Sequence, residues 1–190
     1  EVRDMDSAGR SLKSKARKKD WTQVMLPSGK TGWVQSGSIA KHNGFRSIAK
    51  GEGNSESVSE QETEQIIAQA VRLAGVPYLW GGMSVGGLDC SGLVRLSYLM
   101  HGILLPRNAS QQFFCGDRVE EGIENLRRGD LVFFGTPASE GKRQRVTHVG
   151  IYLGNNHIIH SSQVVRINSL LPSDADYYEN SHRLLGATRL

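Results

Sequence analysis

The chain has 190 residues, a net charge of +4 and 38% hydrophobic residues, which suits one medium domain beside a small one. No apolar run approaches the roughly 18 residues that span a bilayer, and the first residues carry no signal-peptide core. Two cysteines exclude a disulfide framework, and no zinc-finger, RNP or dinucleotide pattern supports nucleic-acid or nucleotide binding.

Lys13, Lys15, Arg17, Lys18 and Lys19 crowd the start. They read as a solvated strand edge or, more sharply, as attraction to an acidic polymer such as nucleic acid or an anionic cell wall. Trp21–Leu26 alternates, Pro27–Thr31 supplies a turn, and Gly32-Trp33-Val34 opens a second strand, which is a hairpin signal. Trp21 and Trp33 are expected to share one small core. Lys50–Glu62 is Gly- and Ser-rich and nearly devoid of apolar residues, so it reads as a linker. A helix follows, with Glu62 and Glu64 at its start, Ile66, Ile67, Ala70, Val71 and Ala74 on one face, and Gly75 and Pro77 ending it. The domain scheme is therefore a small β module over 1–49, a linker over 50–61 and a main domain over 62–190.

Pro77-Tyr78-Leu79-Trp80-Gly81-Gly82 is an aromatic turn in which Leu79 and Trp80 read as core. Tyr78 differs, because its phenol can donate to an oxyanion or hold a substrate backbone. Leu88-Asp89-Cys90-Ser91-Gly92 then opens an apolar-periodic helix over Leu93, Val94, Leu96, Leu99 and Met100. With Asp89 as N-cap, Cys90 falls in the first turn, where free N–H groups and the helix dipole favour a thiolate. The plain alternative is a buried structural cysteine, the reading adopted for Cys115. After Leu105-Pro106, a short helix is expected with Ser110 as its cap. Strands follow at Arg128–Gly135, Thr147–Leu153, Ile158–Ser161, Gln163–Ile167 and Arg183–Leu190. Helices first and an antiparallel meander afterwards give an α+β layout rather than βαβ repeats.

A thiol attacks an amide usefully only with a base in reach and a third group holding that base. His42, His101 and His182 sit in polar contexts without a partner pattern. His148 opens an apolar strand and His160 closes the next, so antiparallel pairing across Gly154–His157 brings the two imidazoles together. His160 would fix the tautomer of His148, whose other nitrogen would face Cys90. His157 is the weaker alternative. The same Cys, His and His could instead hold zinc, but no close ligand pair of the C-x-x-C or H-x-x-x-H kind supports it, so no metal or other cofactor is expected.

Leu-Asp-Cys90-Ser-Gly, the Pro-Tyr78-x-Trp-Gly-Gly ahead of it, Pro106-Arg107, Arg128-Gly-Asp-Leu-Val-Phe-Phe134, His148-Val-Gly-Ile-Tyr152 and Ile158-Ile-His160-Ser161 together resemble the NlpC-type cell-wall cysteine peptidases over roughly residues 62–190. The resemblance implies a papain-like α+β domain with Cys90 as nucleophile, His148 as general base and His160 orienting it. It also implies peptidoglycan-derived peptides as substrates, cleaved at γ-D-glutamyl–L-diamino acid bonds, in a monomer of the bacterial cell envelope. The Trp21–Val34 hairpin is similar to the closing half of a bacterial SH3-like barrel, and the chain is expected to begin inside that module. In relatives so built, substrates are small peptides with a free N-terminal L-Ala. The residues flanking the nucleophile and the tyrosine of the turn hold the amine end; Asp89, Ser91 and Tyr78 match them. Asp89 as a simple N-cap stays open beside this. So do a catalytically idle wall-binding protein and an amidase or acyltransferase using the same site.

Overall fold

The computed structural model describes residues 3–6, 11–25, 30–42, 45–48 and 57–190. The chain divides into two compact units, Glu1–Arg46 and Ser47–Leu190.

The first unit is an antiparallel sheet of β1 (Arg3–Asp6), β2 (Ser11–Lys18), β3 (Trp21–Met25), β4 (Thr31–Gln35) and β5 (Ile39–His42), in the order β4-β3-β2-β1-β5. The expected hairpin is β3/β4, with Gln23 opposite Trp33 and Trp21 opposite Gln35; its Pro27–Gly29 turn lies outside the described residues. This register puts both tryptophans on one face, but that face is the solvent one. Trp21 is 47% and Trp33 45% exposed, whereas Thr22 and Val24 are buried. The alternation is real and its buried phase is the opposite of the expected one, because the Thr22 hydroxyl is satisfied inside by Ser36 Oγ at 2.8 Å. Arg17, Lys18 and Lys19 are exposed; the side chains of Lys13 and Lys15 lie outside the described residues.

After β6 (Arg46–Ser47), the second unit opens on α1 (Glu60–Arg72). Ser59 and Glu62 form a reciprocal capping box, which starts the helix two residues before Glu62. Its buried stripe is Ile66, Ile67, Ala70 and Leu73; Val71 and Ala74, expected on that face, are exposed. A 3.6-residue period carries the stripe from Ala70 to Leu73 rather than to Val71 or Ala74. The short strands β7 (Met83–Ser84) and β8 (Gly87–Leu88) pair and lead directly into α2 (Cys90–Leu99). Beyond β9 (Ile103–Leu104) comes α3 (Ala109–Gln112), capped by Asn108 rather than Ser110. The Asn108 N–H donates to Gln111 Oε1 at 3.2 Å, a reciprocal contact that a start at Ser110 would lack.

The sheet of this unit is wholly antiparallel. β10 (Asp117–Arg118), β11 (Leu131–Thr136), β12 (Arg145–Gly154), β13 (His157–Ser162), β14 (Val164–Ser169) and β15 (Leu184–Arg189) run in the order β10-β15-β11-β12-β13-β14. Central β11 is apolar from Leu131 to Phe134 because both its faces are covered. One face, with Leu131, Phe133, Val149, Ile151, Ile159 and Val165, packs on Leu93, Val94 and Leu96 of α2. The other carries Val132, Phe134, Tyr152 and Ile158 against Leu170, Tyr178 and Ala187. The fold is the expected α+β arrangement.

Candidate active site

The thiol is positioned by the start of α2. The Asp89 Oδ1 accepts the Gly92 N–H at 2.7 Å, so Asp89 is the N-cap and Cys90 the first helical residue. Gly92 is required by close approach: a Cβ there would lie 2.1 Å from the Gly82 carbonyl oxygen. The same carboxylate accepts the Gly81 N–H at 2.9 Å and both terminal nitrogens of Arg107 at 3.0 and 2.5 Å. Ser91 Oγ donates to it at 3.3 Å and accepts from Arg107 at 3.0 Å. Burial alone would raise the Asp89 carboxyl, but Arg107 and the Gly92 and Gly81 N–H groups outweigh it and hold it below the usual range.

Cys90 is only 8% exposed, and Cys115 is fully buried; both are free. Burial pushes the Cys90 thiol up and the Asp89 charge adds to that. The N–H groups of Val149, Ser91 and Cys90 itself oppose the rise without cancelling it. The expected pull of the helix terminus toward thiolate is present, and desolvation overrides it.

Across the sheet, His160 lies opposite Gly150 rather than His148, and His148 lies opposite Phe134. The two imidazoles therefore meet diagonally, with His148 Nε2 2.7 Å from His160 Nδ1. His160 Nε2 is 3.0 Å from Asn168 Oδ1, and Asn168 Nδ2 donates to the Asp176 carbonyl at 2.6 Å. A carbonyl can only accept, which fixes the Asn168 amide and every proton along the chain. His160 donates from Nε2 to Asn168, His148 donates from Nε2 to His160 Nδ1, and His148 Nδ1 is left with its lone pair. Phe134 and Tyr178 pack on this pair, with ring centroids 5.9 Å from His148 and 4.5 Å from His160 respectively. Burial and the neighbouring imidazole push His148 down to about 3, and burial pushes His160 down to about 4. These directions favour neutral rings and a protonated thiol over an ion pair.

Tyr78 is half-buried, its N–H donating to the Gln163 carbonyl at 2.7 Å. Burial, then the Cys90 and Asp89 charges, raise its phenol, which keeps it a donor. Leu79 and Trp80, expected in the core, are 57% and 86% exposed. Backbone bonds from Leu79 to Leu88 and from Gly82 to Leu79 fold this turn against β8 and leave those side chains outside. His157 bonds the Asn155 carbonyl of its own turn and does not enter the chain of histidines. Among the described residues, the group that could hold a metal ion is His157, Asp174 and Asp176, which includes neither Cys90 nor the histidine pair. Sequence reasoning missed Asn168, Tyr178 and Arg107. Arg107 was visible only as part of the Pro106-Arg107 motif, and Asn168 only as a polar residue following Val164-Val165-Arg166-Ile167.

The pattern of the NlpC/P60 family matches residues 75–183, and the chain belongs to that family. It is 31% identical over 158 residues to a gamma-D-glutamyl-L-lysine dipeptidyl-peptidase of Bacillus cereus, covering 82% of this chain and 42% of that one. It is 33% identical over 150 residues to the enzyme of the same name from Bacillus subtilis, covering 74% and 49%. The crystal structure of an NlpC/P60 family protein from Bacillus cereus superposes with a TM-score of 0.71 at 28% identity, covering 94% of this chain and 53% of that one. The chain thus spans less than half the length of these two curated relatives.

Proposed function

We propose that this protein is a cysteine peptidase that hydrolyses γ-D-glutamyl–L-diamino acid bonds in cell-wall peptides. The observation that carries the reading is the proton-ordered chain Asp176–Asn168–His160–His148, which leaves one imidazole nitrogen unprotonated in the unit that presents Cys90 at a helix start. The relatives' names supply the bond. His148 Nδ1 takes the Cys90 proton as sulfur attacks the γ-carbonyl, and His160 steadies the imidazolium. The Cys90 N–H and the Tyr78 hydroxyl donate to the oxyanion. His148 then protonates the leaving amine, and the acyl-enzyme is released by a water that His148 deprotonates.

Tyr78, Asp89 and Ser91 belong to substrate binding in this reading, together with Arg107. Five donors already fill the Asp89 carboxylate, so a substrate ammonium engages it by displacing Arg107. In this reading the residues before 50 form an SH3-like module, and murein peptides as substrates fit a role in the cell envelope. Mass spectrometry of L-Ala-γ-D-Glu-L-Lys after incubation tests the reaction. The expected products are L-Ala-D-Glu and lysine with the wild type and none with Cys90→Ala. Equal turnover by the alanine variant overturns the proposal.

A further inference from the structure

Arg166 stands directly opposite His160 in the β13/β14 ladder, so both side chains leave the sheet on the face that carries the histidine pair. Arg166 is half-buried, and its Nε is buried without a hydrogen-bond partner. Arg107, Arg128 and Arg189 each pair with a carboxylate, whereas no described carboxylate pairs with Arg166. Its charge reaches His160 and the Tyr178 phenol, the titratable groups that face it from β13 and from the segment before β15. A partly desolvated guanidinium without a counter-charge is costly to keep. Here it sits beside His160, the partner of the base, where an anionic substrate supplies the missing charge.

This inference rests on the proposed reaction. A glutamate linked through its γ-carbonyl keeps its own α-carboxylate a few bonds from the scissile carbon, which an ordinary peptide does not. The geometry points to Arg166 as the residue that takes this α-carboxylate and so selects γ-linked glutamate over its amidated counterpart. A planar guanidinium matches a carboxylate with two parallel N–H bonds and offers nothing comparable to a primary amide. Pairing with that carboxylate also offsets the positive charge that pushes His160, the partner of the base, downward.

The test compares L-Ala-γ-D-Glu-L-Lys with the same peptide bearing D-isoglutamine, using the full chain as wild type, Arg166→Met and Arg166→Lys. The readout is the ratio of the two kcat/KM values. For wild type the acid is expected to be favoured by about tenfold or more. In Arg166→Met the ratio collapses to about one, and in Arg166→Lys it falls between these values. Equal cleavage of both peptides by wild type overturns the assignment. So does Arg166→Met slowing both by the same factor, the mark of a merely structural residue. If wild type cleaves neither peptide although iodoacetamide reaches Cys90, the reaction itself is misassigned and this inference falls with it.

Discussion

Replacing Asn168 with leucine tests the proton order of the site. The change removes the acceptor of the His160 Nε2–H, at 3.0 Å, and the donor to the Asp176 carbonyl, at 2.6 Å. A buried N–H without its partner costs about 1–3 kcal/mol, and the melting temperature should fall accordingly. The larger effect is on chemistry. Without Asn168, His160 is free to carry its proton on Nδ1 and donate it to His148 Nε2, which forces the His148 proton onto Nδ1, the nitrogen needed as base. Loss of a positioned general base lowers rate by about 10²–10⁴-fold, so single-turnover cleavage should fall in that range. Asn168→Asp keeps an acceptor facing His160 and loses only the amide donor, so it should recover much of the rate although it too is destabilised. Wild-type turnover in Asn168→Leu at reduced stability would refute the reasoning, because it would show that the histidine pair orders its own protons.

Lowering pH should destabilise the fold, since His148 and His160 sit below their common reference of 6.5 when folded. The unfolded chain then binds more protons, so stability is full above about pH 6.5 and is lost as pH falls, by about 2 kcal/mol per histidine at pH 5. Urea unfolding at pH 7 and pH 5 checks this, and equal stabilities would contradict it. Iodoacetamide should label Cys90 and spare Cys115, at a rate still climbing at pH 9.0 because the thiol is raised above that value; a plateau near neutrality would reveal a resting ion pair. Gly92→Ala puts a methyl 2.1 Å from the Gly82 carbonyl and should cost about 1–3 kcal/mol with a loss of turnover; a wild-type melt would rule out the clash.

Much of this site was legible because its parts follow local rules. Asp89 before an apolar-periodic run is a cap, and two histidines bracketing a tight turn can meet. What stayed hidden depends on register and burial. A bulge at Leu153 shifts β13 so that His160 pairs with Gly150, and no residue pattern announces that offset. The thiolate expectation counted the N–H groups around Cys90 but could not weigh desolvation against them. Trp21, Trp33 and Trp80 look like core by size, yet backbone pairing decides which face each occupies. Val71 and Ala74 failed for a similar reason, since one face of a helix admits more than one phase until its partner is known.

The histidines and Asn168 all hang from β12, β13 and β14, three consecutive strands joined by turns at Asn155–Asn156 and Gln163, where φ is positive. Such a meander has short sequence separations, so its pairing requires no long loop to close. Cys90 comes from a segment far earlier in the chain and reaches the sheet only when α2 docks. The imidazole pair and its support are therefore joined by local pairing, whereas the sulfur is joined to them by a long-range contact. A molecule in which α2 has not docked therefore lacks the juxtaposition of thiol and imidazole, whatever the state of the sheet.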